Sequence, residues 1–316
     1  MKKIQFSILL VSFVSCLNAD PADPTQVDSD YAVQGEYSGM INAKKVACQV
    51  VAMGEGDFMV RQYEGGLPGD GWNLGKNIIL RGSLNEKGIA DCLNQEKTSR
   101  FTIKDGVAKF WMKDEVLGSL QKIDRKSPTL GANPPKKAIV LFEGASAENF
   151  KPGRMTDDHL LMEGAKSIKL FADHRLHIEF RLPYKPKARG QGRGNSGLYL
   201  QGRYEVQMLD SFGLEGKNNE CGGVYGIASP RENMCFPPLV WQTYDVDFTA
   251  ARFSKGKKTK NAFMTVRHNG VVIHDKLELP KRTTASPLKE GPEPGFVYLQ
   301  NHGNPVRYRN IWVLPL

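Results

Sequence analysis

Alternating apolar and polar residues between Gly190 and Ser211 predict the most distinctive strand of this chain. Successive side chains of a β-strand point to opposite faces of its sheet. The apolar face carries Leu198, Leu200, Tyr204, Val206 and Met208. The opposite face carries Tyr199, Gln201, Arg203, Glu205 and Gln207. A glycine-rich loop precedes the strand and Asp210-Ser211 follow it, which is typical of the rim of a site.

The polar face of this strand has two interpretations. One face of an antiparallel sheet often lies in water, and the side chains would then be ordinary surface residues. A solvated face usually carries Lys, Thr and Ser, however, whereas this one carries Tyr, Gln, Arg and Glu. Hydrogen-bonding groups repeat along it about 7 Å apart, twice the rise per residue. We therefore favour a face that binds a polyol.

Two further stretches carry similar faces. Residues Leu170 to Leu182 alternate as a second strand, with a polar face of Asp173, Arg175, His177, Glu179 and Arg181. Near the C-terminus, Tyr298, Gln300 and His302 share one face if that strand continues far enough. Both stretches are candidates to contribute to the same site.

The rest of the chain is read as short strands without long helices. Glycine and aspartate break apolar runs across residues 31–125, which predicts a small all-β N-terminal domain. Its Glu64–Trp72 loop is either a binding loop or a structural turn. Residues 20–30 are acidic and proline-containing and are expected to be a disordered leader, and residues 126–137 form a proline-rich linker. Residues 138–316, with an Asn269-Gly270 hairpin turn, predict a β-sandwich.

The N-terminal residues 1–19 predict a secretory signal peptide. Lys2 and Lys3 precede the apolar run Ile4–Leu17, and Ala19 fits a cleavage site. The run is too short to span a membrane, and no later run is long enough either. We expect a secreted or periplasmic protein without a transmembrane segment. Lipoprotein anchoring through Cys16 is the alternative.

The cysteines of an exported chain suggest disulfides. If Cys16 is removed with the signal peptide, four cysteines remain: Cys48, Cys92, Cys221 and Cys235. Sequence proximity favours the pairs Cys221–Cys235 and Cys48–Cys92. No Cys-x-x-Cys motif is present, and His174 and His177 fall on opposite faces of a strand, so no metal site is assigned. No cofactor is predicted, although a divalent metal ion is compatible with the chain.

The formal net charge of +9 raises the question of nucleic acid. The basic clusters, residues 185–193 and 255–260, lie in glycine-containing loops and accompany no recognisable nucleic-acid motif. The Gly192–Gly197 stretch matches G-x-G-x-x-G, but a strand follows it where a dinucleotide site requires a helix. We therefore expect neither a nucleic-acid partner nor a dinucleotide. The oligomeric state is left open.

Five stretches in order resemble one family. They are GNSGLYLQGRYEVQMLDSFG, CGGVYGIASP, WQTYDVDF, TVRHNGVVIHD and LQNHGNPVRYRNIWV. The chain from Ala138 to Leu316 resembles the 3-keto-disaccharide hydrolase domain family. The resemblance implies a concanavalin-like, jelly-roll β-sandwich of two antiparallel sheets, with a carbohydrate groove on the concave face. It also implies cleavage of sugars that are oxidised to a ketone at C3.

The implied chemistry needs one base. A ketone at C3 makes the C2 hydrogen acidic, a base removes it, and the C1 group leaves by elimination. Water can then add to the enone, which gives net hydrolysis. We assign Glu205 as the base, with Asp210 and Glu179 as alternatives, and His302 as the acid. The expected substrate contacts are Tyr199, Gln201, Arg203, Gln207, Glu179 and Gln300.

Two other functions stay open at this point. The same fold serves non-catalytic, lectin-like carbohydrate-binding modules. An ordinary glycoside hydrolase would need two closely spaced carboxylates. Glu205 and Asp210 have opposite parity along the strand, so only a bulge would bring them to one face.

Overall fold

The computed structural model describes residues 20–316, and their regular secondary structure is almost entirely β-strand. The signal peptide and Cys16 lie outside the described residues. The helices of the described part are α1 (Asp30–Val33) and a single 3₁₀ turn (Gly190–Gly192). No helix within residues 20–316 is long and apolar enough to cross a membrane. The all-β prediction is confirmed.

Residues 35–123 form a closed barrel of eight antiparallel strands. The strands are β1 (Gly35–Ile41), β2 (Lys44–Gly54), β3 (Asp57–Glu64), β4 (Asn77–Leu84), β5 (Ala90–Leu93), β6 (Ser99–Lys104), β7 (Val107–Met112) and β8 (Glu115–Ile123). Each strand pairs with the next, and β1 pairs with β8 to close the barrel. Alternate residues such as Val46, Cys48 and Val50 fill the interior.

The second domain contains the remaining strands. They are β9 (Ile139–Phe142), β10 (Phe150–Lys151), β11 (Leu161–Met162), β12 (Ala165–Phe171), β13 (His174–Arg181), β14 (Ser196–Leu200), β15 (Tyr204–Met208), β16 (Trp241–Thr249), β17 (Arg252–Ser254), β18 (Lys257–Lys260), β19 (Ala262–His268), β20 (Val271–Leu279), β21 (Gly295–Leu299) and β22 (Arg307–Pro315).

Two antiparallel sheets enclose one apolar core in this domain. The first sheet has the order β10-β12-β21-β14-β15. The second has seven strands, in the order β11-β22-β13-β16-β19-β20 with β9 paired to β22. Leu176 and Ile178 of β13 pack in the same buried cluster as Leu198 and Val206 of the first sheet. The predicted β-sandwich is therefore confirmed, and the polar positions of β13 and of β14–β15 lie on opposite outer faces.

The predicted strand between Gly190 and Ser211 is a hairpin, so the single-strand prediction is wrong. Gln201 and Gly202 have φ of 52° and 61°, and the Arg203 N–H donates to Leu200 O at 3.0 Å. Two left-handed residues suit a tight hairpin turn, in which glycine costs little. The two predicted faces persist because directly opposed residues of a hairpin share a face, as Tyr199 and Glu205 do.

The second predicted strand, Leu170–Leu182, is also two elements. Strand β12 ends at Phe171 in the five-stranded sheet, and β13 begins at His174 in the seven-stranded sheet. Asp173 lies at the crossing, where its carboxylate accepts the Ala250 N–H at 2.9 Å and pairs with Arg252. Alternation continues through the sequence here although the chain changes sheets.

The leader is ordered, which differs from the disorder expected of it. The Tyr184 hydroxyl donates to Asp28 Oδ1 at 2.7 Å, and the Tyr184 N–H donates to Pro21 O at 2.7 Å. Arg181 Nη2 donates to Ala22 O at 3.0 Å. Polar groups of the leader thus find partners on the sandwich, which composition alone does not reveal.

The linker lies along the outer face of the seven-stranded sheet. The Ser127 and Thr243 hydroxyls are 2.6 Å apart, and the Thr129 hydroxyl donates to Asp245 Oδ2 at 2.7 Å. Ala132 O accepts the indole N–H of Trp312 at 3.2 Å. The proline-rich segment therefore covers this face of the sandwich.

The barrel packs directly against the sandwich. Val51 and Met59 of the barrel belong to the buried cluster of the sandwich. Arg61 Nε donates to Gly213 O at 2.7 Å, and Arg193 Nη2 donates to Ala52 O at 3.1 Å. Apolar burial and buried hydrogen bonds thus fix the boundary between the two domains.

The expected disulfides are absent from residues 20–316, because all four cysteines there are buried free thiols. Cys221 Sγ lies 3.2 Å from the Tyr244 hydroxyl. Burial raises the pKa of Cys92 to about 12. Hydrogen bonds hold the Cys221–Cys235 connection instead, among them Asn233 Nδ2 to Ser211 O at 2.7 Å. Here cysteine acts as a small buried apolar residue.

Candidate active site

A row of four side chains crosses the outer face of the five-stranded sheet. The register pairs Glu205 of β15 with Tyr199 of β14, Tyr199 with Tyr298 of β21, and Tyr298 with Lys166 of β12. Directly opposed residues of neighbouring strands point to the same face. At about 4.8 Å per strand the row spans roughly 14 Å.

Glu205 lies at one end of this row, buried above a glycine. The residue is 2% exposed, and its carboxylate accepts a hydrogen bond from the Tyr199 hydroxyl. A Cβ atom at Gly197, on the neighbouring strand, would lie 2.2 Å from Glu205 Oε1. Glycine at this position therefore gives the carboxylate its space.

The surroundings of Glu205 raise its pKa toward neutral pH. Burial raises the pKa of the Glu205 carboxyl to about 7, and the hydrogen bond from Tyr199 lowers it only in part. Burial disfavours the charged form, and few polar groups compensate here. A carboxyl with this pKa can accept a proton efficiently near neutral pH.

The other members of the row supply donors and a cation. Burial raises the pKa of Tyr199, as does the adjacent Glu205, so its hydroxyl stays protonated. Gln300 Nε2 donates to the Tyr199 oxygen at 3.2 Å, and the rings of Tyr199 and Tyr298 are 5.5 Å apart. The Lys166 ammonium lies 5.3 Å from the centre of the Tyr298 ring. The row thus carries a base, Glu205, at one end and a cation, Lys166, at the other.

A second row of amides lies beside the first. The Gln300 N–H donates to Gly197 O at 2.9 Å, and Gly197 pairs with Gln207. Gln207 Nε2 and Asn195 Nδ2 both donate to Gln191 Oε1, at 3.1 and 2.9 Å. Asn195 is 2% exposed, and its Oδ1 has no partner among residues 20–316. A buried acceptor without a partner is available to a ligand hydroxyl.

Two of the expected substrate contacts hold the fold instead. Gln201 Nε2 donates to Phe171 O at 2.9 Å. Arg203 donates to Lys289 O at 2.8 Å and to Glu293 O at 2.9 Å. Both residues belong to the hairpin turn, so they fasten neighbouring loops. These contacts engage both side chains in the fold, which differs from the substrate contacts expected of them.

Asp210 and Glu179, the alternative bases, are also engaged elsewhere. Arg193 Nε lies 2.7 Å from Asp210 Oδ2 in a buried ion pair near the barrel. Glu179 lies on the outer face of the other sheet, where Arg309 Nε and Asn310 Nδ2 donate to it at 2.7 and 2.9 Å. Both carboxylates are thus placed as parts of structural networks.

The pKa of Glu179 differs from that of Glu205. Burial raises the pKa of this carboxyl, but hydrogen bonds from His177, Asn310, Gly131 and Arg309 outweigh burial and lower it to about 2. Such a carboxylate stays ionised and is a weak base. His177 is itself bound by Asp245 at 2.7 Å and stacked on Trp312.

His302 lies in an exposed loop two residues beyond Gln300. The structure brings together Tyr199, Glu205, Gln207 and Gln300 of the predicted set. It adds Lys166, Asn195 and Gln191, which the sequence did not single out. Lys166 belongs to an alternating stretch, but its place in the same row as Glu205 depends on the order of strands in the sheet.

Residues 20–316 contain no group of three or more His, Cys, Asp or Glu side chains that could hold a metal ion.

Comparison with known proteins identifies the sandwich. The model of the 3-keto-alpha-glucoside-1,2-lyase-like domain family matches residues 137–314. A solved structure titled "putative glycosyl hydrolase" from Parabacteroides distasonis ATCC 8503 is 30% identical, with a TM-score of 0.52, over 57% of this chain and 84% of that chain. A second structure with the same title and source is 16% identical, with a TM-score of 0.42, over 57% of this chain and 94% of that one. The chain matches no curated protein.

Proposed function

The chain belongs to the 3-keto-alpha-glucoside-1,2-lyase-like domain family, and we propose that it cleaves 3-keto-glycosides by proton abstraction at C2 and elimination of the C1 group. The similar structure from Parabacteroides distasonis, titled as a glycosyl hydrolase, supports action on carbohydrate. The observation that carries the proposal is the buried Glu205 carboxyl, whose pKa is raised to about 7.

In this mechanism Glu205 removes the proton from C2 of the bound keto-sugar. Electrons of that C–H bond form the enolate, and their return expels the C1 oxygen to leave an enone. Water addition to the enone gives net hydrolysis. The Tyr298 hydroxyl, one strand further along the row than Tyr199, is proposed to stabilise negative charge on the C3 oxygen, and the Lys166 ammonium beyond it adds positive charge at that end of the row. Gln207, Gln300 and Asn195 offer hydrogen bonds to the sugar hydroxyls.

The acid that protonates the leaving oxygen is proposed to be His302. It is exposed and follows Gln300 by two residues, so it belongs to the loop at the end of the second row. Tyr199 is the alternative, since its protonated hydroxyl already contacts Glu205. His302→Gln and Tyr199→Phe, assayed on substrates with good and poor leaving groups, distinguish the two.

The two rows favour this reaction over an ordinary glycosidase. Their members are Lys166, Tyr298, Tyr199, Glu205, Gln300, Gly197 and Gln207, which include one carboxylate. Retaining and inverting glycosidases use a pair of carboxylates around the scissile bond. Glu179 lies on the opposite outer face, and Asp210 is bound by Arg193, so neither supplies the second group.

A lectin-like module is the second candidate. Aromatic and amide side chains on one sheet face can bind sugar without reacting. A module that only binds has no need of a buried carboxyl titrating near neutral pH, which requires loss of hydration. The burial of Glu205 therefore favours catalysis.

Glu205→Gln tests the proposal. The variant keeps the size and hydrogen bonding of the side chain but removes the base, so we expect cleavage of 3-keto-glucosides to fall by about 10²–10⁴. Exchange of the C2 hydrogen in deuterated water should fall equally, while sugar affinity stays. Glu215→Gln, at an exposed carboxylate, is the matched control. Exchange at the wild-type rate in a folded Glu205→Gln protein would show that Glu205 is only a contact.

We also propose that the protein acts outside the cytoplasm. The positive residues Lys2 and Lys3 before an apolar run support this. Mass spectrometry of the mature protein should find an N-terminus near Asp20. An acylated Cys16 would indicate the lipoprotein form, and an intact Met1 would contradict export.

A further inference from the structure

The barrel has an open cavity at one end, formed by inward-pointing side chains and by residues of the surrounding loops. The cavity has a volume of 920 Å³ and lies where the loops after β1, β3 and β7 meet. Its apolar wall is formed by Ile41, Val46, Ile78, Phe110, Met112 and Leu117. Small-molecule sites often occupy the mouths of β-barrels and have volumes in this range.

The wall is apolar and yet partly open to solvent. Ile78 is 38% exposed and Met112 is 48% exposed, although the alternation of β4 and β7 directs both inward. Interior positions deeper in the same strands, Leu80 and Ala108, are fully buried. The barrel core is therefore complete at its centre and incomplete at this end, and a bound apolar group would complete it.

A polar atom inside this cavity has no partner. Gln62 of β3 follows the inward alternation of Phe58 and Val60, and it pairs with Cys48 and Ile78 on either side. It is 7% exposed, and its Oε1 accepts no hydrogen bond among residues 20–316. Buried acceptors are rarely left unpaired. A ligand with an O–H or N–H group at its buried end would satisfy it.

The rim of the cavity is basic. Lys44, Lys45 and Lys76 line it together with one carboxylate, Glu64. Lys45 also pairs with Asp70, 3.3 Å away. Within residues 20–316, Lys44 and Lys76 form no ion pair, so two ammonium groups at the rim are available to an anion.

The Glu64–Trp72 loop, which the sequence left open between binding and structure, borders this mouth. The Gly65 N–H donates to Lys45 O at 2.9 Å, and the Trp72 ring packs on Tyr63 at 5.0 Å. The Gly69 N–H donates to Glu232 of the sandwich at 2.8 Å. The loop is thus held from both domains, and the cavity is preformed.

We propose that the barrel mouth binds a small amphipathic carboxylate whose apolar body covers the exposed wall. Its carboxylate lies between Lys44 and Lys76, and a hydroxyl at its other end donates to Gln62 Oε1. Asn42, Asn73 and Ser99 also line the cavity, but the exposed apolar wall of Ile78 and Met112 suits an apolar body better than a plain glycan. This binding is independent of the reaction proposed for the sandwich.

The test is calorimetric titration of the full chain with 4-hydroxycinnamate, which has a ring, a phenol and a carboxylate. Cinnamate lacks the phenol, and 4-hydroxyphenethyl alcohol lacks the carboxylate. We expect 4-hydroxycinnamate to bind, and each of the other two to bind about tenfold more weakly. Absence of binding at millimolar concentration, or equal affinity for all three, would overturn the proposal.

Variants locate the binding. Gln62→Met keeps the shape of the side chain and removes the acceptor, so it should weaken 4-hydroxycinnamate about tenfold and leave cinnamate unchanged. Lys76→Met should weaken both acids, and Lys260→Met, on the distant β17–β18 hairpin, should change neither. If Gln62→Met does not fold, the affinities of Lys76→Met and of the wild type for the three ligands still test the proposal. Binding of plain glucans or anionic phosphatidylglycerol vesicles in place of the acid would refute this ligand class.

Discussion

Two buried glutamates show how neighbouring groups determine what a carboxyl can do. Both Glu179 and Glu205 are almost fully buried, with 1% and 2% of their surface exposed. Four donors hold Glu179 in its charged form and lower its pKa to about 2. Glu205 receives one hydrogen bond, from Tyr199, so burial dominates and raises its pKa to about 7. Sequence parity alone made both residues candidates, and only Glu205 is suited to accept a proton near neutral pH.

The first prediction concerns the pH dependence of activity. In the proposed mechanism Glu205 must be ionised to accept the C2 proton, and its pKa is about 7. We expect kcat/KM on a 3-keto-glucoside to rise with pH and level off above an apparent pKa near 7. A pH series with keto-sugars that do not titrate in this range measures it. A flat profile from pH 5 to pH 9 would contradict a rate-limiting role of Glu205.

The second prediction concerns stability. The folded pKa of Glu205, about 7, exceeds its ordinary value of 4.5, so the folded state keeps a proton that the unfolded state releases. Stability therefore falls as pH rises from 4.5 to 7 and then levels off. Glu205→Gln avoids this loss and should be more stable than wild type by about 3 kcal/mol at pH 8, with little difference at pH 4.5. Urea unfolding at the two pH values tests this.

At the scale of elements, the candidate site depends on a hairpin and on sheet order. The alternation around Glu205 predicted the two faces correctly, because β14 and β15 share faces across the turn. It did not predict that Tyr199 lies opposite Glu205, since the left-handed turn at Gln201-Gly202 leaves the alternation unbroken. Lys166 joins the row through β21, which is separated from β12 by more than a hundred residues. No local pattern contains that pairing.

The position of the linker could not be predicted from local sequence either. Glu179 has the polar alternation of a binding face, but residues 127–132 cover that face and donate to it. Proline-rich composition predicts a linker over residues 126–137. It could not predict where the connection lies, because its partners Thr243 and Asp245 are distant in sequence.

The third prediction concerns Gly197, whose missing side chain leaves room for the Glu205 carboxylate. A methyl group there would lie 2.2 Å from Glu205 Oε1, so Gly197→Ala has to displace the carboxylate. We expect loss of activity comparable to that of Glu205→Gln, with the strand still formed. Gly192→Ala is the matched control, since a Cβ atom there meets no atom within 4 Å. Activity close to wild type in Gly197→Ala would mean that the position of Glu205 is not critical.

At the scale of the whole molecule, the barrel and the sandwich share packed surface. The family match begins at residue 137, so the barrel lies outside it. Even so, Val51 and Met59 of the barrel lie in the sandwich core, and Arg61 and Arg193 hydrogen-bond across the boundary. Two domains that share buried apolar contacts are expected to stabilise each other.

The last prediction follows from that shared core. Met59 is 4% exposed and packs in the cluster of the sandwich, so Met59→Ala should cost about 2–5 kcal/mol. Because its contacts belong to both domains, calorimetry should show one unfolding transition in wild type and one, at lower temperature, in the variant. Met40→Ala removes the same side chain from an exposed barrel position, 54% exposed, and should change stability by less than about 0.5 kcal/mol. Two separate transitions, with only the barrel shifted by Met59→Ala, would show instead that the domains unfold independently and that the boundary contributes little.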